Sequence, residues 1–206
     1  MNSFTGGNKT LFAERMLEAG FIPEGIPPSF RVENMHEAFV SIGSGADYIT
    51  GKSPTEVSPF NSSKRNRQRR IFGMPNPVTM IDCFKFFYDK KDEIDEHFGI
   101  TKDSCSIPSL SPDGDRALRI YSFSDFYLKR RQTFSSSRYI VKCDVSRFFH
   151  SIYTHCIPWA LHGKAASKAD RKVDSATIFG NRLDYIIRQG QDGQTVGIPV
   201  GPDFSR

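Results

Sequence analysis

One aspartate followed closely by two phenylalanines is the pattern in this sequence best suited to chemistry. Asp144 comes directly after residues 139–143, a β-branched and aromatic run that predicts a short buried strand. A carboxylate at a strand end can face a cleft and bind a metal ion, and Phe148 and Phe149 could form the rigid wall of a pocket beside it. A simpler interpretation also fits, with Asp144 as a turn residue and both phenylalanines in the core.

Basic residues are concentrated in two short stretches. The chain has 28 Lys and Arg against 23 Asp and Glu, a formal charge of only +5, so the placement of the charges matters more than their total. Either stretch could contact phosphates, and either could instead be a solvated face. The first comprises Lys64, Arg65, Arg67, Arg69 and Arg70, and the second comprises Lys129, Arg130, Arg131 and Arg138.

Composition sets the broad class of the protein. With 206 residues, 38% of them hydrophobic and 18 of them Phe, the chain can bury a core as one large or two small domains. Its four cysteines show no CxxC spacing, so neither a disulfide framework nor a zinc site is indicated. No segment has the composition of a signal peptide or the ~20 apolar residues of a membrane span. We therefore expect a cytoplasmic protein without a membrane partner.

The elements that must position these residues follow from periodicity and from capping signals. Residues 69–74 alternate as a short strand that Pro75 terminates, and Asn76 and Pro77 are suited to begin the next helix. Loops are expected at residues 43–63 and 101–115, and residues 163–172 predict an exposed connector. Helices are expected at residues 11–19, 32–42, 78–97 and 121–134, at 157–161 with Ser151 as a possible cap, and after Asp174 as the cap of a final amphipathic helix.

Three stretches, in this order, resemble the reverse transcriptase family. RIFGMP at residues 70–75 resembles its fingers motif, and CDVSRFFHSI at residues 143–152 is similar to its first palm motif. GIPVGPDFS at residues 197–205 resembles the second palm motif, commonly Gly-x-Pro-Gln-Gly followed by a serine. FIPEGIPPSF at residues 21–30 and SIYTHCIPWALHGK at residues 151–164 narrow the resemblance to bacterial antiphage defence enzymes of the abortive-infection and unknown-group branch.

The resemblance implies a fold class and an activity. The fold would be α+β, the right-hand fold of reverse transcriptases, with an N-terminal helical and extended region at residues 1–63, fingers at 64–138 and an incomplete ferredoxin-like palm at 139–206. The activity would be RNA-directed DNA polymerisation in antiphage defence, in which two Mg²⁺ ions assist transfer of deoxynucleoside triphosphates to a 3′-hydroxyl. The implied partners are an RNA template, a DNA product and the nucleotides.

The resemblance also assigns roles to individual residues. Asp144 and the carbonyl of Val145 match the metal ligands, with Asp144 as the catalytic carboxylate. Arg70 matches the arginine that contacts the triphosphate, and Phe149 matches the residue that excludes a 2′-hydroxyl. Gly201 matches a glycine that lets the backbone approach the nucleotide. Substrate contact is also implied for Val200. Nucleic-acid contact is expected for Lys64, Arg65, Arg67 and Arg69 because of their clustered charge, and Lys64 and Arg65 lie near the family's second triphosphate contact.

Two departures from the family pattern matter. Val200 stands where the wider family has a glutamine, although valine is usual in the defence branch. The third palm motif, an aromatic residue followed by x-Asp-Asp, is missing, and the sequence contains no Asp-Asp pair. We therefore expect the front part of a polymerase that is inactive by itself. The alternative is a non-catalytic nucleic-acid-binding or assembly module built on a palm scaffold.

Overall fold

Helices make up about half of the described chain, and its strands form two small antiparallel sheets. The computed structural model describes residues 8–23, 25–27, 32, 34–42, 53–64, 67–100, 104 and 107–205. The strands are β1 (Ser58–Ser63), β2 (Arg69–Met74), β3 (Ser109–Leu110) and β4 (Leu118–Arg119). The helices are α1 (Lys9–Ala19), α2 (Met35–Ile42), α3 (Pro77–Asp89), α4 (Lys91–Ile100), α5 (Phe123–Phe134), α6 (Phe148–Ser151), α7 (Cys156–His162), α8 (Lys164–Ala169) and α9 (Gly180–Gln189), with a 3₁₀ turn at Asp203–Ser205. The α+β class is therefore confirmed.

The core is built mainly by α1, α3 and α9. These helices bring apolar side chains from distant parts of the sequence into one cluster, to which Leu118 of β4 also belongs. The close approach of α9 to α3 depends on Gly190, because a Cβ there would lie 2.4 Å from Cγ2 of Thr79. The cluster includes Phe12, Met16, Leu17 and Phe21, then Met80, Cys83, Phe84 and Phe87, and then Leu183, Ile186 and Ile187. The three predicted regions thus contribute to a common core, and the division into regions stays a prediction.

Helix α3 begins where its capping residues predicted. The side chain of Asn76 accepts a hydrogen bond of 3.0 Å from the backbone N–H of Val78, and Pro77 occupies the first turn. The prediction of one helix to about residue 97 is wrong, because the chain breaks at Lys90 and restarts as α4. The break lets Ile94 pack into the same core as α3.

Strands β1 and β2 form a hairpin, although residues 43–63 were expected to be a loop. The register pairs Ser58 with Met74 and Ser63 with Arg69. The N–H of Lys64 donates to the carbonyl of Gln68 at 2.8 Å and closes the turn. Polar residues and a proline in β1 gave no strand pattern, so its extended conformation depends on pairing with β2. Arg65 lies outside the described residues.

The predicted strand at residues 139–143 does not form. Tyr139 is 79% exposed and Val141 is 85% exposed, and Asp144 at the end of the segment is exposed too. Within the described part of the chain, residues 139–146 make no backbone hydrogen bond to a neighbouring strand. β propensity alone does not hold a strand in place when its N–H and C=O groups have no partner strand.

The region between α7 and α9 is more regular than predicted. The expected connector at residues 163–172 contains α8, and α7 ends at Gly163 as expected, with φ of 83°. The prediction that Asp174 caps the last helix is wrong, because α9 begins only at Gly180. Instead, the hydroxyl of Ser175 accepts a hydrogen bond of 2.9 Å from the N–H of Ile178. Among the described helices, none combines the length and apolar character needed to cross a bilayer.

Candidate functional site

One cavity among the described residues collects the four residues expected to bind substrate. This cavity, which we call the Arg70 cavity, has a volume of about 930 Å³. Arg70, Phe149, Val200 and Gly201 all line it. They come from three stretches of sequence that are far apart, so the fold brings together the members of three separate motifs. The volume lies within the range of small-molecule and cofactor sites.

Backbone hydrogen bonds hold these three stretches side by side. The N–H of Gly73 in β2 donates to the carbonyl of Val200 at 3.0 Å, which fixes the strand against the C-terminal loop. The N–H of Ile198 donates to the carbonyl of Phe149 at 2.9 Å, and that of Gly197 donates to the carbonyl of Ile152 at 2.7 Å. The loop at residues 197–201 therefore links β2 on one side with α6 on the other.

Arg70 is oriented by the aromatic residue two positions along the same strand. Side chains at i and i+2 of a strand share a face, and Phe72 lies on the same face as Arg70. The guanidinium carbon of Arg70 lies 4.9 Å from the centroid of the Phe72 ring, within cation–π distance. Both residues line the cavity. The guanidinium thus presents N–H donors to an anion while its position is restrained by Phe72.

Gly201 is required by close packing as well as by its backbone conformation. Its φ is +117°, a region that other residues rarely adopt. A Cβ at this position would lie 2.4 Å from Cβ of Pro23 and 3.1 Å from Cδ1 of Phe72. The expectation was that the missing side chain leaves room for nucleotide. In the described structure that space is filled by Pro23, so the glycine primarily lets the loop pack against the N-terminal segment.

Arg116 and Asp203, which the sequence analysis did not select, hold the loop that contains Gly201 in place. Arg116 lines the Arg70 cavity and donates to Asp203 Oδ1 from Nε at 3.0 Å, with a second contact from Nη2. Arg116 Nη2 also donates to the carbonyl of Gly201 at 2.6 Å, and Nη1 donates to the carbonyl of Ile22 at 2.9 Å. Asp203 is 1% exposed and accepts a further bond of 2.8 Å from the N–H of Leu118. Arg116 lies outside the motifs that the resemblance identifies, and Asp203 occupies a position of the motif at residues 197–205 to which the resemblance gave no role, so both were missed.

Asp144 and Val145 lie apart from this group. Asp144 is exposed and is not among the residues that line the Arg70 cavity, and Val145 is 59% exposed. Among the described residues there is no cluster of three or more His, Cys, Asp or Glu side chains that could hold a metal ion. A two-metal site requires several oxygen ligands. These residues therefore do not by themselves fit a Mg²⁺ site, because Asp144 offers a single carboxylate.

The predicted nucleic-acid contacts lie on two exposed surfaces. Lys64, Arg67 and Arg69 are exposed at the end of the β1–β2 hairpin, which we call the hairpin tip. The second basic cluster lies mostly on α5, a helix that buries none of its residues. There Arg130 lies 5.7 Å from the ring centroid of Phe126 and 5.6 Å from that of Phe134. Basic and aromatic side chains thus alternate on an exposed face.

Comparison with known proteins does not assign the chain to a group. No protein-family description matches it, and no curated protein matches it either. The convergence of residues around the Arg70 cavity is therefore the main observation that bears on function.

Proposed function

We propose that this chain is the fingers and part of the palm of a reverse transcriptase-like, RNA-directed DNA polymerase that acts in antiphage defence in the cytoplasm. The observation that carries the proposal is that Arg70, Phe149, Val200 and Gly201 line one cavity of about 930 Å³. These are the residues that the motif resemblance assigns to the incoming nucleotide. Sequence motifs carry no information about the distances between them, so the convergence of their residues supports the assignment.

The proposed ligand of the Arg70 cavity is a deoxynucleoside triphosphate. The Arg70 guanidinium would contact phosphate oxygens, since its planar fork suits bidentate binding of anions. The Phe149 ring would lie against the sugar and occupy the space that a 2′-hydroxyl needs. Apolar groups from Phe72 and Val200 would cover the remaining wall. Binding would therefore combine one strong charge contact with a shape-selective apolar surface.

Nucleotidyl transfer requires more metal ligands than the described residues provide. Asp144, together with the carbonyl of Val145, would supply part of a Mg²⁺ site, and nucleotidyl transfer needs further carboxylates. We therefore propose nucleotide binding for the described residues and keep polymerisation, with RNA and DNA as partners, as a separate part of the proposal. Nucleotide binding can be tested by itself.

Calorimetric titration with dATP tests the nucleotide site. We expect saturable binding, and we expect Arg70→Gln to weaken it by about tenfold or more, because one charge-assisted contact to phosphate is removed. Lys172→Gln is the matched control, since Lys172 is exposed, carries the same charge and does not line the cavity. Equal affinity in the Arg70→Gln variant and the unmodified chain would overturn the proposal.

A second function is favoured by the two basic surfaces. The hairpin tip and the aromatic–basic face of α5 suit a single-stranded nucleic acid, whose bases stack on aromatic rings while its phosphates contact Lys and Arg. A scaffold that only binds nucleic acid would show affinity that falls steeply with salt and no binding of free dATP. The same titrations, repeated with a short oligonucleotide, therefore distinguish the two functions.

A further inference from the structure

A second cavity lies between α7, α8 and α9 and combines cationic, aromatic and buried acidic groups. This Trp159 cavity has a volume of about 330 Å³ and shares no lining residue with the Arg70 cavity. Its cationic wall comes from Lys168, Arg171 and Arg188. Its aromatic wall comes from Trp159 and Tyr153, whose ring centroids lie 5.7 Å apart. We propose that the Trp159 cavity binds a nucleoside monophosphate group.

The charge on the lining favours an anion. Asp184 lies between His155 and Arg188, with Oδ2 at 2.7 Å from His155 Nδ1 and at 3.3 Å from Arg188 Nε. Lys168 and Arg171 have no carboxylate within 4.0 Å among the described residues. Asp184 therefore balances Arg188, and two exposed cations remain to contact a phosphate group.

The buried carboxylate of Asp184 would let the cavity recognise hydrogen-bond donors of a ligand as well as its phosphate. Asp184 is 5% exposed, and its other oxygen, Oδ1, is buried without a hydrogen-bond donor in the described structure. An unsatisfied buried acceptor is costly, and a ligand N–H or O–H group would satisfy it. Sugar hydroxyls and the amino groups of bases are such donors. The same ligand would therefore present donors to Asp184 and a phosphate to the cations.

The aromatic wall and the volume of the cavity favour a ligand with a planar base and a single phosphate. A half-buried indole offers an apolar surface on which a planar base can pack. The volume lies near the lower end for ligand pockets, which favours one phosphate over a triphosphate. A free nucleotide and the 5′-phosphorylated end of a nucleic acid share this chemistry, and comparing their affinities distinguishes the two ligands.

The position of the sole tryptophan makes the inference directly testable, since the sequence contains one Trp and it lines this cavity. The full chain is titrated in EDTA with AMP, adenosine, inorganic phosphate and a 5′-phosphorylated tetranucleotide while tryptophan fluorescence is recorded. We expect a saturable change with AMP and binding at least about tenfold weaker with adenosine or phosphate alone.

Tighter binding of the tetranucleotide than of AMP would assign the site to nucleic-acid ends, and the reverse order would assign it to free nucleotides. The absence of a saturable change with either ligand overturns the proposal.

Charge variants show whether binding is local to the cavity. Arg171→Gln and Lys168→Gln each remove one exposed cation from the lining, and we expect each to weaken binding by about fivefold to tenfold. Lys172→Gln is the matched control, because Lys172 is exposed, adjacent in sequence and absent from the lining. Equal weakening by Lys172→Gln and Arg171→Gln would indicate general attraction to a basic surface and would also overturn the proposal. Removal of Mg²⁺ and the use of a fluorophore in this cavity make the result independent of dATP binding at Arg70.

Discussion

Phe149 is placed by a turn within its own sequence motif and by a backbone hydrogen bond from the C-terminal loop. Arg147, two positions earlier, has a φ of +51°, and this left-handed turn begins α6 after the exposed segment. The carbonyl of Phe149 then accepts the hydrogen bond from Ile198 that fixes it beside the C-terminal loop. The ring meets that of Phe148 edge to face, with centroids 5.4 Å apart. The side chain is half-buried, with one part on the cavity wall.

Under the proposed function, the position of Phe149 would allow it to select deoxyribose over ribose. We expect Phe149→Ala to reduce the preference for dATP over ATP by about tenfold, because the space beside the sugar would then admit a 2′-hydroxyl. The measurement is calorimetric titration with each nucleotide. Phe148→Ala serves as the control, since Phe148 is 52% exposed and does not line the cavity. An unchanged preference in the Phe149→Ala variant would remove this role from Phe149.

At the residue scale, sequence resemblance selected four residues that meet in one cavity, and it missed the two that secure the loop. Arg70, Phe149, Val200 and Gly201 could be named because each stands at a recognisable motif position. Arg116 could not, because its partners are the carbonyls of Ile22 and Gly201 and a buried carboxylate, all far away in sequence. Backbone acceptors leave no residue-type signal, so such a contact is visible only in three dimensions.

At the element scale, local signals predicted helix starts and stops better than strands. Helix α1 ends before Gly20, and α3 starts with the predicted Asn–Pro pair, because capping depends on neighbours in sequence. Strand β1 and the absence of a strand at residues 139–143 were both mispredicted. In each case the outcome depends on whether a partner strand is nearby, which local composition does not encode. Helix α8 was missed because its short polar sequence has no apolar periodicity.

The contact between α7 and α9 has a titratable group with a defined pH dependence. His162 Nε2 accepts a hydrogen bond of 3.2 Å from the N–H of Gly180, and its ring packs edge to face on Phe179 at 4.5 Å. Burial, and secondarily the charge of His97, lowers the pKa of His162 below its ordinary value of 6.5. The folded state therefore binds a proton less readily than the unfolded state.

The free energy of unfolding should consequently fall as the pH decreases through 6.5. The stabilisation from neutral His162 is fully present above this value and is lost as the pH falls toward the lower pKa of the folded state. We expect His162→Gln to flatten this part of the profile, measured by urea denaturation at a series of pH values. His150→Gln is the control, because His150 is exposed. Parallel profiles for the unmodified chain and His162→Gln would contradict the assignment.

At the scale of the whole molecule, the pair of Arg116 and Asp203 joins three distant segments. Arg116 contacts the backbone after α1 through Ile22 and the C-terminal loop through Gly201. Asp203 contacts β4 through the N–H of Leu118, and its own N–H donates to the carbonyl of Gly20. The pair thus connects the segment after α1 and strand β4 with the C-terminal loop next to the Arg70 cavity. The position of the loop that carries Val200 depends on these contacts.

Asp203→Asn should destabilise the protein by about 3–5 kcal/mol, because it leaves the buried Arg116 charge without a carboxylate. The asparagine amide would also place a donor next to the N–H of Leu118 or the guanidinium. The free energy of unfolding is measured by urea denaturation. Asp174→Asn is the matched control, since Asp174 also pairs with an arginine but its side chain is 79% exposed, and we expect a loss below about 1 kcal/mol. Similar losses for the two variants would mean that the buried pair contributes no more than an exposed one.

The exposed segment at residues 139–143 also affects how the chain behaves in concentrated solution. Tyr139, Ile140 and Val141 combine high β propensity with backbone groups that pair with no strand among the described residues, the features by which one molecule recruits a strand from another. Lys142 interrupts this apolar run with a charge, as gatekeeper residues do beside aggregation-prone strands. We expect a neutral residue in place of Lys142 to favour fibril-like self-association through this segment, because the charge that separates neighbouring molecules would be lost.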